Sequence, residues 1–138
     1  MTSTSSYIVA ITGASGAAYG MRLTEELLLR GSDVELIISP AGKLLLKEEL
    51  AIDVAGKGDA GAVVLDYLKA RESSALKGTL NYNAHDDLTV RFASGSSRQK
   101  TMIVIPASMG SVARIACGIS GNLIERAADC IIKEGGRL

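Results

Sequence analysis

A glycine-rich loop between an apolar run and a helical pattern is the feature that most constrains the fold. Residues 7–12, YIVAIT, are mostly apolar and rich in β-branched side chains, which indicates a buried strand. The loop GASGA follows, and residues 17–30 then carry leucines at helical spacing up to a glycine stop. A second strand at residues 33–39 and a proline-led helix ending near residue 50 repeat the pattern. This alternation predicts an α/β protein with a doubly wound parallel sheet and right-handed crossovers.

The rest of the chain is predicted to continue this layout. Residues 62–72 suit a helix, residues 88–92 a short strand, and ASGSS at residues 93–97 a loop. A strand at residues 102–105 precedes a helix opened by Ser108, and Gly118 and Gly121 separate that helix from a last one at residues 122–134. The chain shows no internal repeat. We therefore expect one domain over residues 7–138, behind a disordered tail at residues 1–6.

Composition excludes several classes of function. The 138 residues carry 15 basic and 15 acidic side chains, so net charge gives no attraction to nucleic acid or to an anionic membrane. No apolar run is long enough to span a bilayer. Cys117 and Cys130 form no CxxC pair, and we expect free, mostly buried thiols in a reducing cytoplasm.

The glycine loop itself predicts an anionic or nucleotide ligand. Backbone N–H groups at the start of a helix point at whatever lies over the carboxyl edge of the sheet, and the helix dipole adds partial positive charge there. The glycine spacing is not GxGxxG, no GxxxxGK[ST] occurs, and GASGA differs from the hydrolase pattern GxSxG at Ala17. A serine triad is also disfavoured because His85 is the only histidine. A tight strand–helix turn whose glycines serve packing remains an alternative.

Hydroxyl groups at three strand ends favour a ligand-binding loop over a tight turn whose glycines serve packing. Because the carboxyl ends of parallel strands share one edge, these side chains are expected to converge there. They are Ser15, Ser39, Ser108 and Ser111. Hydroxyls and amides bind phosphate or the polar rim of a flavin without net positive charge, so a mononucleotide fits better than a dinucleotide.

Five motifs in sequence resemble the UbiX family of flavin prenyltransferases, also known as phenylacrylic acid decarboxylase-like flavoproteins. They are TGASGAAYGMRL, ISP, ASGS, MIVIPASMGSVARIACG and GNLIERAADCIIKE, in that order. The resemblance runs from residue 7 to about residue 134. It implies a three-layer flavodoxin-like or Rossmann-like fold that binds FMN. It also implies transfer of a dimethylallyl group from dimethylallyl phosphate to N5 and C6 of reduced FMN, and a product that serves a UbiD-type decarboxylase.

The resemblance also assigns roles to residues. It implies flavin contacts at Gly13, Ala14, Ser15, Ser39, Ser108, Met109, Gly110 and Ser111. It implies a proton-handling pair, Ser15 and Glu49, and a substrate-phosphate site formed by Arg126 and Lys133.

Residue chemistry is compatible with these roles. Arg126 and Lys133 are seven residues apart and so lie on one helix face, although a solvated face with Asp129 paired to Lys133 is the alternative. Glu49 could accept a proton through Ser15, or could be an ordinary surface glutamate. The scheme needs no metal, and we expect HDD at residues 85–87 to form a polar turn.

The chain departs from the family pattern at its end. Where the family continues with KERRPL into another strand, a further catalytic glutamate and more phosphate-binding residues, this sequence reads KEGGRL. We expect a shifted reading frame, a vector-derived end or a fragment. The strand at residues 102–105 would then be an exposed apolar edge, which predicts low solubility or packing between subunits. Leu88 replaces the ring that the family commonly places over the substrate.

The resemblance further implies a homo-oligomer, trimer-based or dodecameric, with the flavin at a subunit interface. Two other functions remain open. One is a flavin-binding module or subunit without catalysis. The other is a related flavin-dependent cysteine decarboxylase, which is disfavoured because those enzymes rely on an early histidine.

Overall fold

A parallel sheet flanked by helices on both faces forms the centre of the protein. The computed structural model describes residues 5–56, 58–71, 75–95 and 99–138. Within these ranges the strands are β1 (Ser6–Ile11), β2 (Asp33–Ile38), β3 (Leu80–Asn83) and β4 (Met102–Val104). The helices are α1 (Ala17–Leu29), α2 (Pro40–Leu50), α3 (Ala60–Arg71), α4 (Met109–Ala116) and α5 (Leu123–Lys133).

The strand order places the end of β1 at the centre of the carboxyl edge. All pairings are parallel, and the order is β3-β2-β1-β4. This is the order of the first four strands of a Rossmann sheet, in which ligands bind outside the carboxyl ends of the strands. The predicted three-layer, doubly wound fold is therefore confirmed.

Alternate strand residues bury against different helices. One core lies between the sheet and α1, α2 and α3, and it includes Val9, Ile11 and Leu36 with Leu28 and Leu46. The other core lies between the sheet and α5. Its members include Ile8, Ala10, Ile37, Met102, Leu123 and Ala127. A strand with both faces covered must be apolar throughout, which explains the unbroken run in β1.

The third strand is the main error in the predicted elements. A strand was expected at residues 88–92, but that segment forms turns and a short 3-10 helix at Arg91–Ala93. The strand is β3, whose sequence LNYN contains two residues that ordinarily avoid strands. Asn81 and Asn83 are accommodated because their side-chain amides donate to the carboxylate of Glu35 on β2.

The other boundaries differ little from the predicted ones. β1 begins at Ser6, which was expected in the tail, and residues 1–4 lie outside the described part of the chain. The last residue of the helix predicted at 62–72 and the two final serines of ASGSS also lie outside it. Across the described ranges, no helix is long and apolar enough to cross a membrane.

Candidate functional site

The ends of β1 and β4 are joined by the hydroxyl of one buried threonine. Thr12 is 1% exposed. Its Oγ1 donates to the carbonyl of Pro106 at 2.6 Å and accepts from the backbone N–H of Ser108 at 2.8 Å. These bonds hold the glycine loop after β1 beside the start of α4.

The ends of β1 and β2 are joined by backbone contacts. The N–H of Ser39 donates to the carbonyl of Ile11 at 3.0 Å. A Cβ on Gly13 would lie 2.4 Å from the Cβ of Ala41, so only glycine allows the loop to approach α2 this closely. Three strand ends therefore meet at one rim, as the serine pattern predicts.

Two of the predicted serines also cap helices. Ser39 Oγ accepts from the N–H of Gly42 at 3.0 Å, and Ser108 Oγ accepts from the N–H of Ser111 at 3.2 Å. Ser108 Oγ and Ser111 Oγ lie 2.9 Å apart. A hydroxyl both donates and accepts, so the cap contact at Ser39 leaves its O–H able to donate to a ligand.

Glu49 reaches from the last turn of α2 to the start of α1. Its carboxylate accepts from the N–H of Gly16 at 3.1 Å and from the N–H of Ala17 at 2.9 Å. Gly16 is the N-cap of α1, has φ of 106° and carries no side chain that could cap the helix. The carboxylate supplies that cap from a distant part of the sequence, where the helix dipole favours negative charge.

The surroundings of Glu49 hold it in the ionised form. A hydrogen bond with the Ser15 side chain, and then those from the backbone at the start of α1, keep the pKa of this carboxyl below its ordinary value of 4.5. Ser15 and Glu49, paired by the family resemblance, therefore interact directly. Both are exposed to solvent, so a ligand at the rim can reach them.

The remaining predicted flavin contacts line an open part of the rim. Ala14 is half-buried, and Met109 is 79% exposed. A Cβ on Gly110 would meet nothing within 4 Å. The first turn of α4 therefore leaves space for a ligand to approach its backbone.

The two predicted phosphate-binding residues, unlike Ser15 and Glu49, do not contact each other. Arg126 lies in the first turn of α5, where its Nε donates to the carbonyl of Ala93 at 2.9 Å and its Nη1 lies 3.4 Å from Asp129 Oδ2. Lys133 is exposed in the last turn, about 10 Å further along the axis. The chain after that turn pairs with the start of β4, because the N–H of Met102 donates to the carbonyl of Arg137. Lys133 therefore lies toward the opposite edge of the sheet from the rim, and Asp129 pairs with Arg126 rather than with Lys133.

The histidine and cysteines stand outside the rim. His85 and Asp86 form part of a turn, as expected, and burial lowers the pKa of His85. Among the described residues no group of three His, Cys, Asp or Glu side chains could hold a metal ion. Both cysteines are free thiols, but Cys117 is exposed where a buried one was expected, since it follows a helix that buries no residue.

Sequence reasoning missed the importance of Thr12. The feature of the sequence that could have indicated its role is a single hydroxyl residue at the end of an apolar strand. Its two partners, Pro106 and Ser108, are more than ninety residues away, and only the pairing of β1 with β4 brings them near.

Comparison with known proteins identifies the family. A family model described as Flavoprotein matches residues 1–138. A flavin prenyltransferase UbiX from Halalkalibacterium halodurans is 46% identical over 132 residues, which cover 96% of this chain and 60% of that relative. The crystal structure of AnUbiX (PadA1) in complex with FMN and dimethylallyl pyrophosphate has a TM-score of 0.76 at 27% identity, and the match covers 99% of this chain and 63% of that one.

A second solved structure is similar over the same region. It is a dodecameric FMN-dependent UbiX-like decarboxylase from Escherichia coli O157:H7, with a TM-score of 0.72 and 30% identity over 95% of this chain and 62% of that one. This chain thus spans about three fifths of the length of the relatives it matches. Because the family model extends over every residue, the chain belongs to the Flavoprotein family.

Proposed function

We propose that this chain binds FMN at the rim and acts as a flavin prenyltransferase. The observation that carries the proposal is the meeting of three strand ends, joined by Thr12 and by the Ser39–Ile11 contact, at a rim of hydroxyl and amide donors. The relatives support it, since AnUbiX was crystallised with FMN and dimethylallyl pyrophosphate. Dimethylallyl phosphate is the proposed dimethylallyl donor, as the family resemblance implies.

The rim residues fit a flavin mononucleotide. The loop of Gly13, Ala14 and Ser15 presents small side chains, and the open first turn of α4 has room for a flat ring. Ser39, Ser108 and Ser111 supply hydroxyls for polar groups of the ligand. When bound, reduced FMN supplies the N5 and C6 positions that accept the dimethylallyl group.

Glu49 and Ser15 are the proposed proton-handling pair. Bond formation at C6 requires a proton to leave carbon, and an ionised carboxylate is the form that accepts one. The lowered pKa keeps Glu49 in this form at neutral pH. The Ser15 hydroxyl, which hydrogen-bonds to Glu49, is the proposed relay for the proton.

Arg126 is the proposed ligand of the departing phosphate. The allylic C–O bond breaks as phosphate leaves, and a fixed guanidinium stabilises the negative charge that develops. Its Nε is held by Ala93, and its remaining donors are half-exposed. Lys133 is proposed as a second cation for the phosphate on the resemblance alone, since it lies about 10 Å further along α5 than Arg126.

One assay tests the proposal. The purified chain would be incubated anaerobically with reduced FMN and dimethylallyl phosphate, and the released flavin analysed by mass. A flavin heavier by one C5H8 unit is expected. Bound FMN without that product would favour a flavin-binding module without catalysis, the alternative consistent with the position of Lys133. A chain that does not bind FMN would refute both.

The partners of the chain and its cellular location are also proposals. A prenylated flavin is a cofactor for decarboxylation, so the product is proposed to pass to a UbiD-type enzyme. A homo-oligomer is supported by the dodecameric relative from Escherichia coli. The two free thiols are compatible with the reducing cytoplasm.

A further inference from the structure

Helix α4 and its N-cap Ser108, which together carry half of the proposed flavin contacts, are held in place mainly by polar links. None of its residues is buried, and only Ile115 packs partly against the core beside α5. At the N-terminal end, the N–H of Ser108 is fixed by Thr12. Apolar burial therefore contributes little to setting the angle of this helix, and its other end needs a separate anchor.

A buried carboxylate supplies that anchor. Glu125, in the first turn of α5, is 4% exposed and forms an ion pair with the guanidinium of Arg114 near the end of α4. Arg114 Nε bonds to one carboxylate oxygen, and Arg114 Nη2 lies 3.3 Å from the other. This two-point contact fixes direction as well as distance between the two helices.

The same carboxylate also orders the turn between α4 and α5. The N–H of Gly121 donates to Glu125 Oε2 at 2.7 Å, and the N–H of Glu125 donates to Asn122 Oδ1 at 3.0 Å. A Cβ on Gly121 would lie 3.4 Å from both Arg114 Nη2 and Glu125 Oε2, so the turn passes close over the ion pair. The Arg114 guanidinium is the main reason that the pKa of Glu125 lies below its ordinary value.

We propose that Glu125 and Arg114 are positioning residues for the flavin site. By holding the end of α4 against α5, they keep Ser108, Gly110 and Ser111 at the rim. The inference rests on the proposed function, because the contacts it positions are those proposed for FMN. The proposed flavin contacts near α4 are its N-cap and first turn, so Arg114 and Glu125 are proposed to act through the helix and not by touching the flavin.

The test compares FMN affinity among variants of the full chain. Arg114→Ala and Glu125→Gln are each expected to weaken FMN binding about tenfold, measured by quenching of flavin fluorescence. The double variant is expected to bind about as weakly as either single one, because both substitutions remove the same link. Arg114→Lys keeps the charge without the fork and is expected to recover part of the affinity.

The ion pair of Arg22 with Glu25 provides a matched control. The side chains of Arg22 and Glu25 are 56% and 2% exposed, and those of Arg114 and Glu125 are 50% and 4% exposed. Unlike Arg114 and Glu125, Arg22 and Glu25 lie within a single helix, α1. Arg22→Ala is therefore expected to change FMN affinity less than twofold. Equal losses in Arg22→Ala and Arg114→Ala, or affinities within twofold of the parent in both Arg114→Ala and Glu125→Gln, would overturn the proposal.

Amide hydrogen exchange separates this proposal from the proposed function. In the ligand-free protein, Glu125→Gln is expected to speed exchange in α4 while leaving α1 and β1 protected. If the parent chain bound no FMN, the proposed function would fail. If amide exchange in α4 were the same in Glu125→Gln as in the parent, the proposed link between α4 and α5 would be refuted, whether or not the parent binds FMN. The glutamine variant keeps the side-chain shape, so it is the variant to use if Arg114→Ala does not fold.

Discussion

Glu49 is the residue at which fold and proposed chemistry meet most directly. Its carboxylate completes the hydrogen bonding at the start of α1 and interacts with Ser15. A group that both caps a helix and accepts a proton must be ionised in the resting protein, and the lowered pKa satisfies that condition. The capping contact also fixes where the carboxylate lies relative to the glycine loop.

Glu49→Gln is expected to lower the prenyl-transfer rate about 100-fold or more, in the range found for loss of a general base. FMN affinity is expected to change little, because glutamine can still accept from the N–H groups of Gly16 and Ala17. Rates would be measured from the mass-resolved product. Glu48→Gln is the control, since Glu48 is the adjacent exposed carboxylate. Similar rates for both variants would exclude Glu49 as the base.

The pH dependence of stability provides a separate check on Glu49. A folded-state pKa below the unfolded one stabilises the protein fully above about pH 4.5, and that stabilisation is lost as pH falls through the folded pKa. The melting temperature of the parent is therefore expected to exceed that of Glu49→Gln by a constant margin from pH 8 to pH 5. This margin is expected to shrink at lower pH. A margin that grows on acidification would contradict the lowered pKa.

Gly13→Ala tests the close approach of the loop to α2. The added Cβ would lie 2.4 Å from the Cβ of Ala41, so the backbone must move, at a cost of about 1–3 kcal/mol in the free energy of unfolding. Gly110→Ala is the control, because it meets nothing within 4 Å and lies in a helix. Urea unfolding of both variants measures the difference, and equal stabilities would refute the tight packing.

At the scale of elements, Thr12 supplies the side-chain hydrogen bonds that hold the corner between β1 and β4. Strand β4 has only three residues and pairs with one neighbour in the described sheet, so backbone pairing fixes its end weakly. The Thr12 hydroxyl compensates by binding on both sides of the turn that leads into α4. The position of α4 is thus proposed to depend on Thr12 at one end and on Arg114 and Glu125 at the other.

Thr12→Val is expected to destabilise the protein by about 1–3 kcal/mol, because the buried carbonyl of Pro106 and N–H of Ser108 lose a partner. FMN binding should weaken as well. Thr24→Val is the control, since Thr24 is also fully buried but its hydroxyl donates to the carbonyl of Gly20 within its own helix. Thermal unfolding and FMN titration of the pair test the claim, which fails if Thr12→Val keeps the parent's affinity.

Elements with strong periodicity were predictable, whereas links between distant elements were not. Helix α2 was predicted with the bounds Pro40–Leu50 because Ser39 and Pro40 mark its start chemically. Strand β3 was missed because its asparagines need Glu35, a partner that only the folded sheet supplies. Asn122 and Glu125 have the spacing of a helix cap, but the pairing of Glu125 with Arg114 depends on the turn between two helices.

At the scale of the whole molecule, apolar side chains are exposed to solvent on the edge strand and on the helix that follows it. Strand β4 is an edge of the described sheet, as predicted, and its residues Ile103 and Val104 are only half-buried. Exposed apolar side chains also lie on and just after α4: Met109, Val112 and Ile119. Apolar surface of this kind favours association between copies of the chain.

Self-association is therefore expected, and Val112→Glu should weaken it by placing a charge on that surface. Light scattering across a concentration series would measure the mass of each species. Ala70→Glu on α3 adds the same charge to an exposed position elsewhere and should leave the mass unchanged. A parent chain that is monomeric at all concentrations, without precipitation, would contradict this expectation.

The central claim is that the ends of β1, β2 and β4 together hold one flavin mononucleotide, and a crystal structure with FMN tests it most directly. The account predicts a single FMN in contact with the Gly13–Ser15 loop, Ser39 and the first turn of α4. Crystals grown with excess FMN that show the ligand elsewhere on the chain, or show no ligand, would contradict it.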